Sequence, residues 1–422
     1  LLGLFAGYLL FATFELPLFK ALRVGKMAYV VTVVQLLCTG FMLITNTIFE
    51  FEHFVTSQSI STLLLVGQIY LLVKLIGGTL PTNIVLRTGG YIIFMALLTY
   101  ILTPRFGFAL PLVGLLVLVE FYLAKIPIKK WVMPVLIPGA VFAVLIFAPE
   151  RYLVKKYDPY TDAFPIKQFF YIHADIAKTL INEDIADNHT AYSTGMLQRI
   201  DSIMLMPTAP HQHFKYLGFD ADTMLIGGYD AEIHQALTDS GYQSIYFLLD
   251  YNKRILTEKT GSYLLKVLDQ IQHYYVGADG YDRYCVSEQP ELYNVREMTL
   301  EMTNQPDMYH GQLSAQFRNL AQEQLTNWSW HSNFNITILV AKLSTYGYMM
   351  LITVFAILQC VLFFKLKTLP INHARLLRLA VYMLLLQFAL VLTIAVIHSF
   401  DIYRYGVWIV PAEIMVHGAA LI

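Results

Sequence analysis

Apolar runs of about the length needed to cross a bilayer recur along this chain, and they constrain its fold more than any other feature. They fall at residues 1–19, 27–49, 60–78, 84–103, 107–124, 131–148, 336–364, 379–399 and 406–422. A helix needs about 20 apolar residues to cross ~30 Å of hydrocarbon. In that medium the backbone must satisfy its own hydrogen bonds, which favours helices. Composition agrees: charged residues are 14% of the chain, against about 25% in soluble proteins. The expected fold is an all-α polytopic membrane protein of about nine transmembrane helices. Pro134 and Pro138 in the sixth run are tolerable in a membrane helix, and the long 336–364 run can tilt.

Loop charges predict the orientation. Lys20, Arg23 and Lys26, then Arg87, then Lys125, Lys129 and Lys130, then Lys365, Lys367, Arg375 and Arg378 mark one set of connections. The alternate set carries only Arg105 and Arg404, with Glu50, Glu52 and Asp401. The basic set is expected in the cytoplasm. Residues 1–149 then form a six-helix membrane region, 150–335 a domain outside the cytoplasm, and 336–422 a three-helix membrane region. The chain opens at Leu1 without a methionine and stops inside an apolar run at Ile422, so pieces of a longer protein are expected at both ends.

The polar insert is domain-sized and its apolar spacing predicts helices at Ile166–Ile185, Tyr242–Leu256, Ser262–Tyr275 and Gln312–Leu325. Tyr263, Leu264, Leu265, Val267 and Leu268 fit either ordinary core or a face against the membrane surface. Of the three cysteines, Cys38 and Cys360 fall in predicted spans and Cys285 stands alone in the insert, which excludes a disulfide framework. No basic tract points to nucleic acid. Walker, Rossmann, paired CxxC and HExxH patterns are absent, which argues against ATP-driven transport and zinc proteolysis within these residues.

Several residues carry candidate chemistry. Arg404 sits in the run Asp401-Ile-Tyr403-Arg404-Tyr405-Gly-Val-Trp408, between two apolar segments. Guanidinium is costly in hydrocarbon, while tyrosine and tryptophan suit the headgroup layer. Arg404 reads either as an interfacial anchor paired with Asp401 or as a bidentate grip on a lipid phosphate. Glu413 and His417 are four apart, hence on one helical face. They fall roughly 10 and 16 Å below an outer end near Gly406. They read as a packed hydrogen-bonded pair or as the polar wall of a cavity. Glu50, Glu52 and His53, interleaved with phenylalanines, fit a solvated outer loop or a general base or cation site. His211 and His213 lack further placeable ligands, so no metal site is assigned. His173 and Asp175 read as a paired helix start or a pocket wall.

The arrangement resembles the GT-C class of integral membrane glycosyltransferases. Asp401-Ile-Tyr-Arg404-Tyr405, followed after five residues by Pro411, looks like the acidic-x-x-Arg-Tyr-…-Pro pattern that enters a late helix in that class. Phe169–Ile176, Tyr216–Met224 and Tyr263–Leu268 look like the polar insert of bacterial members. The resemblance implies transfer of a sugar from a polyprenyl-phosphate donor to an acceptor on the outer face of a bacterial inner membrane. It implies Arg404, with Tyr403, Tyr405 and Asp401 around it, at the donor phosphate. The class carries its catalytic acid in the first outer loop, so the base is expected upstream of Leu1. No cofactor is assigned; a divalent cation is compatible with the class and is not indicated by a motif.

Two other readings stand beside this one. A non-enzymatic assembly subunit would bind protein partners through the outer domain. A secondary transporter would use Glu413 and His417 on its path, but inverted repeats and paired broken helices are not visible.

Overall fold

The computed structural model describes residues 2–44, 57–78, 80–102, 107–144, 148, 164–187, 191–204, 219, 224, 229–276, 369–397 and 410–422. Among these residues the regular elements are helical and no strand occurs, so the chain is all-α.

The first apolar run is not one helix. Helix α1 (Leu2–Thr13) stops, and a short α2 (Pro17–Lys20) follows. Pro17 lacks an N–H and is easily accommodated where a helix begins. Glu15 occupies the turn between them. Its Oε1 accepts from Arg23 Nη2 at 2.7 Å and from Gln35 Nε2 at 3.0 Å. Gln35 belongs to α3 (Lys26–Ile44) and also donates to the Phe11 carbonyl at 3.1 Å. This polar knot ties the turn to the third helix.

Helices α4 (Ser57–Ile76), α5 (Thr82–Leu102) and α6 (Ala109–Leu123) lie within a few residues of the runs predicted for them. Gln68 Nε2 donates to Thr99 Oγ1 at 2.9 Å between α4 and α5, both groups buried. At Gly89, α5 and α6 approach so closely that a Cβ would overlap the Phe121 ring and lie 2.8 Å from Val117 Cγ1. Helix α7 (Val132–Phe142) carries Pro138 in its interior and packs on α5.

The insert contributes six helices among the described residues: α8 (Phe164–Ile172), α9 (Ala174–Asp187), α10 (Thr194–Ile203), α11 (Tyr229–Asp239), α12 (Ser244–Thr257) and α13 (Thr260–Val276). The helix predicted at 166–185 is interrupted at His173, although Ala177 N still donates to the His173 carbonyl at 2.8 Å. Phe170, Tyr171, Leu180, Leu197, Leu237, Phe247 and Tyr251 form its core. Tyr263 and Val267 join that core, whereas Leu264, Leu265 and Leu268 of the same helix are exposed. The ordinary-core reading therefore fails for these three leucines.

Helix α14 (Ile371–Ile397) begins eight residues before the run read at 379–399, because Arg375 and Arg378 are helical too. It packs against α6, α13 and α15 (Val410–Leu421). Phe108 N donates to Thr393 Oγ1 at 3.0 Å at one end of the α6–α14 pair, and Tyr382 Oη donates to Glu120 Oε1 at 2.8 Å near the other. Phe108 to Glu120 and Thr393 to Tyr382 each span about 17 Å of helix, so the two run antiparallel.

The connections cluster by end. Gly77 lies against the Leu18 backbone, and Gly78 against the Arg375 guanidinium. The turns at 14–25 and 124–131, and residues 77, 78, 80 and 81 between α4 and α5, thus share one end of the bundle with the start of α14. Lys20, Arg23, Lys125, Lys129, Lys130, Arg375 and Arg378 gather there; all belong to the basic set read from the loops, of which Lys365 and Lys367 lie outside the described residues. Among the described residues two helical stretches, not the nine expected, are long and apolar enough to cross a membrane, Thr82–Leu102 and Ile371–Val396. Leu4–Thr13, Lys26–Gly40, Ile60–Ile76 and Ala109–Leu123 are apolar but shorter. The 336–364 run and the predicted 312–325 helix lie outside the described residues.

Candidate functional site

Most of the residues that sequence reasoning favoured fall outside the described part of the chain. Asp401, Tyr403, Arg404, Tyr405, Glu50, Glu52, His53, His211 and His213 lie outside the described residues. Glu413 and His417 belong to α15, but their side chains also lie outside the description. The helix that carries them is well defined. Pro411 is its second residue, where its missing N–H has no intrahelical partner to lose. Ala412 and Met415 are fully buried, and Ile414, Val416 and Ala419 nearly so. Cys38 Sγ approaches the Ile414 carbonyl at 3.7 Å. A Cβ on Gly418 would sit 3.0 Å from Cys38 Sγ and 3.3 Å from the Phe14 ring. These contacts run α15 from Val410, distant from the basic end, toward that end at Leu421.

The structure does assemble one site that sequence reasoning passed over. A half-open cavity of about 640 Å³ lies at the basic end, between the α4–α5 turn, the last turn of α6 and the first three turns of α14. Its walls are largely apolar, with Leu80 and Val85 on one side and Leu377 and Val381 on the other. Its polar groups are Glu120, Arg375, Arg378 and Tyr382. Glu120 is buried inside an otherwise apolar helix. Its Oε1 accepts from Tyr382 and lies 3.1 Å from Arg378 Nε. That Nε is buried without the alignment of a hydrogen bond, so the pair is an ionic contact and not a closed bidentate clamp. Arg375, one turn earlier, lies over Gly78. Gly78 has φ +75°, a left-handed conformation that glycine adopts without strain. A side chain there would also overlap the guanidinium. Among the described residues no carboxylate lies within ion-pair distance of Arg375.

Glu120 was legible in the sequence as the one acid in the 109–123 helix. Arg375 and Arg378 entered only as members of a basic loop, since an apolar run excludes them by definition. What brings the three together is the antiparallel pairing of α6 with α14, across a sequence separation no local pattern reveals.

The insert holds two further polar clusters. Asp184 accepts from Arg254 Nη1 at 2.6 Å and Nη2 at 2.9 Å, and from Tyr251 Oη at 2.6 Å. Burial alone would raise the Asp184 pKa, but hydrogen bonds from Arg254 and Tyr251, with the guanidinium charge, hold it below the ordinary carboxylate value. This triad joins α9 to α12. In the second cluster Lys266 donates to Asp175 Oδ1 and to the Ile172 carbonyl, each at 2.6 Å. Burial lowers the Lys266 pKa, and Asp175 opposes that shift. His173 lies buried beside Phe169 and Tyr263, with ring centroids at 4.5 and 5.2 Å. Its Nδ1 has no partner. Burial, then the Lys266 charge, drives its pKa well below the ordinary histidine value. Asp175 is thus paired as a helix-start residue, but by a lysine from α13 and not by His173. No group of three or more His, Cys, Asp or Glu side chains able to hold a metal occurs among the described residues.

No family model, curated protein or solved structure matches the chain.

Proposed function

We propose that this chain is part of an integral membrane glycosyltransferase of GT-C organisation, with nine spans and residues 150–335 outside the cytoplasm. The exterior of the helical bundle supports the membrane reading. Leu4, Phe5, Tyr8, Val33, Leu36, Leu37, Leu115 and Leu136 are all exposed on its helices. A water-facing surface rarely leaves so many large apolar side chains exposed on neighbouring turns of its helices. In this reading the shorter apolar helices and the apolar run at 336–364 supply the other spans, by hydropathy and not by helix length.

The observation that carries the enzymatic reading is the placement of α15. The Asp401–Pro411 motif leads directly into a helix whose described side chains are buried in the bundle. That helix begins away from the basic loops. In the proposed orientation that helix start lies at the outer membrane surface, where a buried helix beneath the motif suits it to a substrate phosphate. In the proposed reaction the acceptor hydroxyl oxygen attacks the anomeric carbon of the sugar. The bond from that carbon to the phosphate oxygen breaks, and the lipid phosphate leaves with its electron pair. The hydroxyl proton passes to a carboxylate general base. Arg404 offsets the charge gathering on the departing phosphate.

Transfer from a polyprenyl-phosphate sugar, measured with the intact protein in proteoliposomes, tests this. Arg404→Ala lowers turnover by the equivalent of about 2–4 kcal/mol. Arg404→Lys falls between, because an ammonium cannot supply the bidentate fork. Full activity in folded Arg404→Ala ends the phosphate role. Topology is tested separately with cysteines introduced at Gln212 and Gln289, after Cys285 is replaced. Both react with an impermeant thiol reagent on intact cells, and one at Thr368 does not. The reverse pattern inverts the orientation and removes the site from the outer face.

A further inference from the structure

We infer that the basic-end cavity binds the phosphate headgroup of an anionic phospholipid from the adjoining membrane leaflet. The inference rests on the membrane reading above, but not on the glycosyl transfer.

Three observations converge. The first is volume: about 640 Å³ falls within the range of small-molecule sites. The second is charge. Two guanidinium groups and one carboxylate face the cavity, leaving one excess positive charge beside apolar walls. Glu120 is engaged by Tyr382 and Arg378. Arg375 is held over Gly78, with no carboxylate among the described residues in ion-pair range. A guanidinium near a low-dielectric wall gains most from an anion it can grip through two N–H groups. The third is position. The cavity lies at the end of α14, a helix long and apolar enough to span, and where the basic turns converge. In the proposed orientation this end meets the cytoplasmic headgroups, and basic pockets between helices there favour anionic lipids. The apolar walls from Leu80, Val85, Leu377 and Val381 suit the glycerol and upper acyl segments. A freely soluble phosphate would leave those walls unused.

The geometry also separates the roles of the two arginines. Arg378 holds Glu120 and joins α6 to α14, so its loss threatens the fold. Arg375 touches no acid among the described residues, so it is the residue to change.

Protein purified in detergent and stripped of lipid is titrated with phosphatidylglycerol or phosphatidylcholine and read by native mass spectrometry. Phosphatidylglycerol is expected to bind about tenfold more tightly, the worth of one charge-assisted contact. Arg375→Gln removes that preference. Glu120→Gln keeps the Tyr382 contact, removes the competing negative charge and raises the preference. Lys129→Gln, exposed at the same end, leaves it unchanged. Equal retention of the two lipids overturns the inference, as does an unaltered preference in Arg375→Gln. An equal loss in Lys129→Gln reduces the effect to general surface charge and overturns the cavity assignment. Displacement of phosphatidylglycerol by excess inorganic phosphate assigns the site to a free anion and overturns the lipid. Alkaline carbonate extraction of native membranes distinguishes the underlying reading. Release of the protein defeats the membrane assignment, whereas retention with no lipid preference defeats only this inference.

Discussion

The bundle and the insert each bring together a buried acid, a buried tyrosine and a half-buried arginine, and they do it differently. In the insert, Asp184 receives two N–H groups from Arg254 and one hydroxyl from Tyr251. Arg254 is further occupied by Glu258 at 3.0 and 3.1 Å. Every guanidinium nitrogen of Arg254 thus donates, and both carboxylate oxygens of Asp184 accept. In the bundle, Glu120 receives one hydroxyl from Tyr382 and an unaligned contact from Arg378, beside a cavity of about 640 Å³ with a second arginine in its wall. The same residue types make a lock in one place and a site with spare capacity in the other. Residue identity does not separate them; saturation of the donors and access to the group do.

The surfaces differ in parallel. Insert helices have an apolar face turned inward, as in α12, where Phe247, Leu248, Tyr251 and Ile255 are buried. Bundle helices are apolar on both faces, as in α6, where Leu115 is exposed and Leu116 buried. The first pattern is that of a domain in water; the second leaves the outer face to be covered by something apolar.

The largest expected effect breaks the lock. Arg254→Ala leaves a nearly buried carboxylate unpaired and costs about 3 kcal/mol. Hydrogen exchange across α9 and α12 in the whole protein reads this as lost protection. Arg378→Ala, read across α6 and α14, costs less because water from the cavity can solvate Glu120. Equal losses would show that the two triads are energetically alike and remove the distinction. The pH dependence has a defined sign. Since the folded Asp184 pKa is depressed, its contribution is present above the ordinary carboxylate pKa and disappears as pH falls through the lowered value.

A second test acts on the site side of the comparison. Gly78→Ala forces a Cβ into a left-handed position and into the Arg375 guanidinium. The backbone term alone costs about 1–2 kcal/mol. Gly241, at φ +77° in the insert, has nothing within 4 Å of a built Cβ. Gly241→Ala therefore bears the backbone cost without the collision. A thermal-shift comparison in which Gly78→Ala is no worse than Gly241→Ala would show that Arg375 is free to move away.

Much of the fold was legible. Hydropathy located the 26–44, 57–76, 82–102 and 109–123 helices within a few residues, since an apolar run in a helix is a local property. The break after Thr13 was not visible as an end, because Phe14 and Leu16 continue the apolar run around Glu15. Helices α10 and α11 were missed because each buries only three residues, Met196, Leu197 and Ile200 in one and Ile233, Ala236 and Leu237 in the other. The interruption at His173 lies within unbroken apolar spacing. The cavity was the least legible feature. Its acid stands 255 and 258 residues from Arg375 and Arg378 (375 − 120 and 378 − 120), and only helix pairing relates them.

Groups without a partner make a third test. His173 is buried with an unpartnered Nδ1 and a depressed pKa. A depressed histidine is neutral when folded and takes up a proton on unfolding. Stability therefore falls as pH drops below the ordinary value of 6.5, with a limiting slope of about 1.4 kcal/mol per pH unit. His173→Phe, set among the Phe169 and Tyr263 rings, removes that component of the slope. Chemical denaturation of the wild type and the variant between pH 5 and 7, about the histidine range, measures the difference. Parallel pH profiles would show that His173 is not buried as described.

The smallest expected effect bears most directly on saturation. Tyr251→Phe and Tyr382→Phe each delete one hydroxyl and keep the ring. In the insert the Tyr251 hydroxyl is buried against Asp184 at 2.6 Å. Its loss costs about 1.5 kcal/mol, as for a hydrogen bond to a charged group. Tyr382 donates at 2.8 Å to an acid that borders open volume. A water or a headgroup hydroxyl can take that position, so the cost falls below about 1 kcal/mol. The difference grows if phosphatidylglycerol is added, because a headgroup hydroxyl that replaces the lost one binds the Tyr382→Phe variant more tightly and offsets part of its cost, while the insert is unaffected. Hydrogen exchange of both variants, with and without the lipid, gives four numbers. If Tyr382→Phe costs as much as Tyr251→Phe and the lipid changes neither, the bundle triad is a lock like the other, and the cavity beside it holds nothing that its residues recognise.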